Sequence, residues 1–284
     1  MGVAPTRPRL TFRRARIAVL LALLATTTAW AAGVELRRHA RARWERPVEV
    51  GVVILDRDGA VDARQWRRGL EELAAHLHGE RTRCGSPGFP PFRFTVVAPL
   101  RWERPLPLSP PTDGAADRAW HALELWRELR AVDAAAGTAG ERWDVRVYVV
   151  AVRVPGWDGS FAEGVGAQNG ELVIVRGSAQ GDLSMPLQVI GHELLHTVGA
   201  SDKYDEAGHA LVPAGLADPD AVPRFPQRHA EWMAGEVALA PGAGRLPGSL
   251  TDLRVGPVTA REIGWTRAGP PPPALGVAAG RRAR

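Results

Sequence analysis

The chain has 284 residues, of which 45% are apolar, so it can bury a sizeable core in one large domain or two small ones. Its net charge of +5 comes from arginines spread along the chain, with Lys203 as the only lysine, and no patch interleaves basic and aromatic residues. This pattern argues against a nucleic-acid partner. The single cysteine, Cys84, excludes an internal disulfide and a cysteine-based zinc site, and is expected to be a free structural thiol.

The N-terminus has the layout of an export signal. Residues 1–16 contain five arginines and no acid, and residues 17–34 are uncharged and mostly apolar. Ala29-Trp30-Ala31 offers a small-x-small cleavage site, whereas a retained helix of 18 such residues would barely cross a bilayer. A removed signal and a retained anchor both predict a protein outside the cytoplasm, either secreted or anchored to the membrane. An Arg-rich, acid-free start disfavours the third option, a buried N-terminal helix.

The middle of the chain alternates between strand and helix patterns. Runs rich in β-branched residues predict strands, and apolar residues at helical spacing predict helices between them. Asp62 and Gln65 form a potential capping box at the first helix. The predicted strands are Val48–Leu55, Phe92–Ala98, Asp144–Val152 and Glu171–Arg176, and the predicted helices run from Asp62 to about His78 and through Trp120, Leu123, Trp126 and Leu129 to about Gly137. Residues 105–113 are a proline-rich connection, and residues 156–170 a glycine-rich loop.

The residues from His192 to Asp202 read H-E-x-x-H-x-x-G-x-x-D and carry most of the functional information. Histidines four residues apart on a helix point to the same side and can bind one metal ion, with Glu193 beside them to hold the proton of an attacking water. Gly199 suits a helix C-cap, after which the chain can fold back and present Asp202 as a third ligand. Two nitrogens and one carboxylate oxygen, with a fourth position open, are typical of a catalytic Zn²⁺ site.

The helix that carries this motif is predicted to begin at Ser184, with Pro186 in its first turn. One face of it is apolar, and the two histidines fall near the opposite face. The apolar residues are Leu187, Ile190, Leu194 and Val198. We therefore expect the leucine side to be buried and the histidine side to be open.

This segment resembles the metzincin zinc metallopeptidases, and within them the snapalysin-like proteases, which use an aspartate as third ligand. The resemblance covers about 42 residues, from His192 to Met233. It implies an α+β, zincin-like fold with a twisted mixed sheet, an active-site helix and a small C-terminal subdomain. Tyr204, two residues after the aspartate, is a candidate to reach the oxyanion. The roles implied are Zn²⁺ bound by His192, His196 and Asp202, Glu193 as general base, and Met233 in a methionine turn under the metal.

The function expected from these features is an exported zinc endopeptidase that acts on peptide or protein substrates, with possible membrane association through residues 17–34. Glu171–Arg176 is expected to be an exposed edge strand on which an extended peptide docks.

Two alternative functions stay open. A gluzincin-type peptidase would take a downstream glutamate, Glu231 or Glu236, as third ligand. A catalytically silent binding module would keep the scaffold without cleaving, although the intact Glu193 argues against it.

Three parts are expected along the chain. Residues 1–47 form the signal or anchor with a basic linker, residues 48–268 the metallopeptidase domain, and residues 269–284 a disordered tail rich in proline and arginine. Near the C-terminus, Thr259 and Glu262 form a second potential capping box, with Val258 and Ile263 as its hydrophobic staple, which predicts a short helix through Trp265.

Overall fold

A mostly parallel sheet lies at the centre of the computed structural model, which describes residues 11–108, 114–153, 162–166 and 171–266. Its strands are β1 (Val48–Asp56), β2 (Phe92–Val96), β3 (Leu100–Arg101), β4 (Val145–Val152), β5 (Ala162–Gly166) and β6 (Leu172–Ser178). They lie in the order β2-β1-β4-β6-β5, with β3 also paired to β1. The pairs are parallel except for β5, which runs antiparallel to β6. The expected mixed sheet is therefore present.

Helices cover both faces of this sheet, as the continuous apolar run of β1 requires. The helices are α1 (Thr11–Ala42), α2 (Ala63–Arg83), α3 (Ala115–Ala135), α4 (Ser184–Thr197) and α5 (Pro257–Glu262). Val52 and Ile54 belong to the same buried core as α2 and α4, whereas Val53 and Leu55 pack in the core that includes α3. The chain is thus a mixed α/β protein, consistent with the expected α+β class.

The C-terminal part is built from short strands that pack against α4. Trp232, Met233 and Val255 share one buried core with the α4 residues Ile190 and Leu194. Its elements are β7 (Ala230–Glu231), β8 (Val237–Ala240), β9 (Ala243–Arg245), a 3-10 helix (Leu250–Asp252), β10 (Leu253–Arg254) and α5. A parallel pair joins β10 to β7, and an antiparallel pair joins β8 to β9.

The first predicted capping box is half correct. The Asp62 side chain accepts hydrogen bonds from the backbone N–H groups of Arg64 at 2.8 Å and Gln65 at 3.2 Å. The Gln65 side chain does not reach back to the cap but donates to the Gly181 carbonyl, and the helix continues to Arg83.

Strands β3 and β5 were not expected, and β5 lies within the stretch predicted as a glycine-rich loop. The rest of that loop, residues 109–113 of the proline-rich connection and the tail from residue 269 lie outside the described residues.

The second predicted capping box is wrong. Helix α5 begins at Pro257, with Gly256 as its N-cap, so Thr259 lies inside the helix and is buried. The proline fits the first turn because its missing N–H would have no helical partner there. Glu262 instead accepts hydrogen bonds from the backbone and hydroxyl of Ser201, at 3.0 and 2.9 Å.

The predicted edge strand is also wrong. The strand in question, β6, is paired on both sides, with β4 and with β5, and the sheet ends at β5 (Ala162–Gly166). Glu171, at the start of the predicted strand, forms an ion pair with Arg37 of α1. Any strand added to this side of the sheet would therefore meet β5.

Among the described residues, Arg14–Ala42 within α1 is the one helical stretch long and apolar enough to cross a membrane. Its apolar side chains are exposed, from Ile17 to Trp30, as in a signal or an anchor. The basic segment that follows packs against the rest of the protein, because Arg41 and Trp44 are both only 7% exposed.

Candidate metal centre

Helix α4 carries the H-E-x-x-H motif and is buried on both sides. The expected apolar face is buried, with Leu187, Ile190 and Leu194 no more than 4% exposed. The expectation of an open histidine side is wrong, since His196 is only 6% exposed. The reason is the C-terminal part of the chain, which covers that side of the helix: a Cβ at Gly191 would overlap the ring of Trp232.

Three side-chain atoms converge next to the C-terminal half of α4. The Nε2 atoms of His192 and His196 are 3.1 Å apart, and each lies 3.1 Å from Oδ1 of Asp202. Within the described residues, these three side chains form the one cluster of three or more His, Cys, Asp or Glu with metal-ligand spacing. The structure therefore brings together the three ligands that the motif predicted.

Backbone carbonyls orient both imidazole rings. The Nδ1 atom of His192 lies 3.3 Å from the Trp232 carbonyl, and that of His196 lies 2.8 Å from the Ala200 carbonyl. A proton on each Nδ1 satisfies these carbonyls, so a neutral ring keeps a lone pair on Nε2 that is available to a metal ion beside Asp202. Without a metal, a second proton on Nε2 of His192 can instead be donated to Asp202. This outer arrangement is the one that histidine ligands of a metal ordinarily have.

The donor set fits zinc. Tetrahedral zinc with bonds of about 2.0–2.1 Å holds its donor atoms about 3.3 Å apart. The three observed separations of 3.1 Å are close to that value. Two imidazole nitrogens and one carboxylate oxygen leave a fourth position for water or substrate, as in catalytic rather than structural zinc sites.

In the metal-free chain, the three clustered side chains stabilise one another electrostatically. The hydrogen bond from His192 lowers the pKa of Asp202, against the opposing effect of burial. Burial lowers the pKa of His192, but its hydrogen bond with Asp202 and the charge of Glu193 outweigh this effect and raise that pKa. A metal ion would replace this proton as the positive partner of Asp202.

The loop after α4 reverses the chain and delivers Asp202. Gly199 has a φ of 112°, in the range that favours glycine, and the N–H of Ala200 bonds back to the Leu195 carbonyl at 3.0 Å. On the far side of Asp202, the backbone N–H of Lys203 donates to the Met233 carbonyl at 3.0 Å. Asp202, the predicted third ligand, is thus fixed between the end of the helix and the turn that contains Met233.

Met233 lies fully buried in a tight turn, as a methionine turn requires. Glu231 holds this turn: its carboxylate accepts hydrogen bonds from the N–H groups of Met233 at 2.6 Å and Ala234 at 3.0 Å, and from Gly256 at 3.2 Å. Burial raises the pKa of Glu231, and these hydrogen bonds oppose the rise. Gly235 ends the turn with a φ of 72°.

The two glutamates considered as alternative third ligands are engaged elsewhere. Glu231 is 0% exposed and directed at the N–H groups of its own turn. Glu236 accepts a hydrogen bond from the Ala210 N–H at 2.7 Å and lies 3.4 Å from Nδ1 of His209. Neither belongs to the cluster formed by the two motif histidines.

Glu193 lies between the metal cluster and the edge strand β5. A Cβ at Gly164 would overlap Oε1 of Glu193, so the backbone of β5 passes directly over this carboxylate. Burial raises the pKa of Glu193, while the charges of His192 and His196 oppose the rise. A carboxylate in this position can exchange a proton with a molecule held between the ligands and the strand.

Tyr204 lies at the rim of the site and is 42% exposed. Its ring stacks on that of His192, with centroids 6.5 Å apart, and its hydroxyl forms a hydrogen bond with Asp202. Burial and the neighbouring Asp202 charge raise the pKa of the Tyr204 hydroxyl. The structure thus joins Tyr204 to the third ligand, while its expected contact with an oxyanion stays a prediction.

Sequence reasoning missed several residues that build the site. Glu231 was considered only as an alternative metal ligand, Glu262 only as part of a capping box, and nothing in the local pattern of Gly164 indicated a role. Lys203 is the only lysine of the chain, and this rarity gave no indication that it is buried beside Asp202. Cys84 is a free, half-buried thiol whose pKa is raised by burial, and it lies outside the cluster.

No family model matches this chain, and no curated protein matches it at a significant level.

Proposed function

We propose that this protein is a zinc-dependent endopeptidase with a zincin-like, metzincin-type active site. The observation that carries the proposal is the equal 3.1 Å spacing of the His192, His196 and Asp202 donor atoms, next to a half-buried Glu193. Zinc held by these three residues would supply a Lewis acid that polarises the scissile carbonyl and lowers the pKa of an attacking water.

Glu193 is the general base and acid of the proposed reaction. Its carboxylate accepts the proton of the attacking water and passes that proton to the amine of the leaving peptide, so one residue serves both proton transfers. Burial, which raises its pKa, supports this role because a base with a higher pKa accepts a proton more readily. Tyr204, at the rim, is the candidate donor to the oxyanion, although its present hydrogen bond is to Asp202.

The substrate of the proposed peptidase is an extended peptide paired with β5. This strand is the edge of the sheet on the α4 side and passes over Glu193 at Gly164. An extended chain added to an edge strand gains backbone hydrogen bonds whatever its sequence. Such binding suits a hydrolase that acts on the peptide backbone itself.

The experiment is cleavage of a mixed peptide library by the full-length protein with zinc bound at one per chain. We expect cleavage that a chelator abolishes and zinc restores. Glu193→Gln should retain zinc and lose cleavage, because the amide has the shape of the carboxylate but cannot accept the proton. No cleavage of any peptide by the zinc-loaded protein would favour the silent binding module instead.

A further inference from the structure

The segment that follows the apolar part of α1 is docked onto the end of the metal-binding helix. Arg41 donates from Nε and Nη2 to the Thr197 carbonyl, at 3.1 and 3.0 Å. Thr197 is the last residue of α4 and is adjacent to His196 in sequence. A positive side chain at a helix C-terminus satisfies a free carbonyl and is stabilised by the helix dipole.

Four more contacts fix the same segment. Arg37 and Arg41 both pair with Glu171, the second at 3.6 Å. Trp44 donates from Nε1 to the Ile263 carbonyl at 2.6 Å, and its ring packs against Trp265. Trp44 is the one non-glycine residue with a positive φ in the described part of the chain, a strained backbone that such packing has to stabilise.

The docked segment is continuous with the apolar helix. Helix α1 runs without a break from Thr11 to Ala42, through the small-x-small sequence at Ala29–Ala31. About 10 Å of helix separates Val34, the end of the apolar run, from Arg41. No flexible linker therefore lies between a bilayer around residues 17–34 and the end of the helix that carries the metal ligands.

We propose that α1 is retained as a membrane anchor and that its docked end, residues 37–44, holds the metal centre at a fixed position near the bilayer surface. This inference rests on the proposed function for its substrate class, which is peptide segments that lie close to the membrane. The occupant of the exposed apolar surface of α1 is the lipid bilayer, because its apolar side chains are exposed. The uncharged run of residues 17–34, about 27 Å of helix, is just long enough for a hydrocarbon core of about 30 Å.

The first test measures position without using activity. The full-length protein is placed in phospholipid vesicles with a donor fluorophore on Ala207→Cys, an exposed residue of the loop after the third ligand, in a Cys84→Ser background. Acceptors are carried by the lipid headgroups. We expect strong energy transfer that falls when a flexible Gly/Ser segment of about 20 residues is inserted after Val34. Equal transfer in both proteins, or a mature chain that begins after Ala31, would overturn the proposal.

The second test uses vesicle-bound reporter peptides. The same mixed peptide library is attached to lipid through a short or a long proline-rich spacer, which extends by about 3.1 Å per residue. We expect the short-spacer library to be cleaved at least tenfold faster by the unmodified chain, and the two libraries equally by the insertion variant. Equal cleavage of both by the unmodified chain would overturn the inference. If neither these nor soluble peptides are cleaved, the proposed function fails, while the energy-transfer result still decides the anchoring.

Discussion

The ammonium group of Lys203 lies 2.8 Å from Oε2 of Glu262, in an ion pair that joins the loop carrying Asp202 to α5. Lys203 is only 3% exposed, and it also donates to the Ser201 carbonyl at 2.7 Å. The two residues that flank Asp202 in sequence are thus both bound to Glu262. This carboxylate holds in place the loop from which Asp202 reaches the histidines.

We predict that Glu262→Ala lowers both stability and metal affinity. The change leaves a buried ammonium without its partner, which costs about 3 kcal/mol of unfolding free energy. Loosening of the loop should weaken zinc binding by roughly 10–100-fold, as loss of an outer-shell contact does. Denaturant unfolding of the metal-free protein and a competitive zinc titration measure the two effects. Glu206→Ala, which removes an exposed carboxylate from the same loop, should change neither. Unchanged zinc affinity in Glu262→Ala would show that the ion pair serves the fold alone.

Gly164→Ala should separate metal binding from catalysis. The added Cβ would overlap the Glu193 carboxylate and lie 3.0 Å from Cγ1 of Val189, so the carboxylate or the edge strand has to move. A displacement of about 1 Å is enough to slow catalysis by roughly 100-fold. We expect zinc to bind as before and peptide cleavage to fall by at least that factor.

The control for this change is Gly79→Ala in α2, where the new methyl group meets open space. This variant should cleave normally and be slightly more stable, by up to about 1 kcal/mol, because alanine is the better helix former. Normal cleavage by Gly164→Ala would mean that Glu193 does not work in the position seen here.

The His-His-Asp cluster was predictable from the sequence, because its residues lie within eleven positions of one helix and turn. Helix geometry alone places His192 and His196 together, and Gly199 indicates the chain reversal that brings Asp202 back toward them. The main strands were also predictable, since burial on both faces produces long β-branched runs.

The surroundings of the cluster were not predictable, because they depend on contacts between distant parts of the chain. The Nδ1 atom of His192 lies 3.3 Å from the carbonyl of Trp232, 40 residues away, a contact that no periodicity of α4 can reveal. The edge strand β5 is short and glycine-rich, so it resembles a loop, and its pairing depends on β6. Glu262 matched a capping box by spacing, yet its carboxylate forms an ion pair with a buried lysine 59 residues away.

Asp202→Ala tests the identity of the third ligand. We expect the change to weaken zinc binding by more than the roughly 10–100-fold that follows loss of an outer-shell partner, since a direct ligand is removed. Glu236→Gln serves as the matched carboxylate control, because Glu236 is directed at the Ala210 N–H and His209 rather than at the histidine pair. Zinc competition measures both. If Asp202→Ala retains full affinity and Glu236→Gln loses it, the gluzincin-type assignment is correct.

Stability at acid pH should depend on Glu80, a carboxylate of α2 whose side chain is 1% exposed. Burial alone would raise its pKa, but hydrogen bonds from Arg83, the Val255 N–H and Arg254 outweigh this effect and lower the pKa below its ordinary value of 4.5. A lowered carboxylate pKa adds stability that is complete above the unfolded-state pKa and is lost as the pH falls through the folded-state value.

We therefore predict that Glu80→Gln costs about 2 kcal/mol of unfolding free energy at pH 7, the usual contribution of hydrogen bonds to a charged group. The difference between the variant and the unmodified protein should shrink as the pH falls below about 4.5, because protonated Glu80 has lost the same charge. Urea unfolding of both proteins at pH 7, 5, 4 and 3 measures this difference. A gap that stays constant down to pH 3 would mean that Glu80 stabilises the join between α2 and β10 by its shape rather than by its charge.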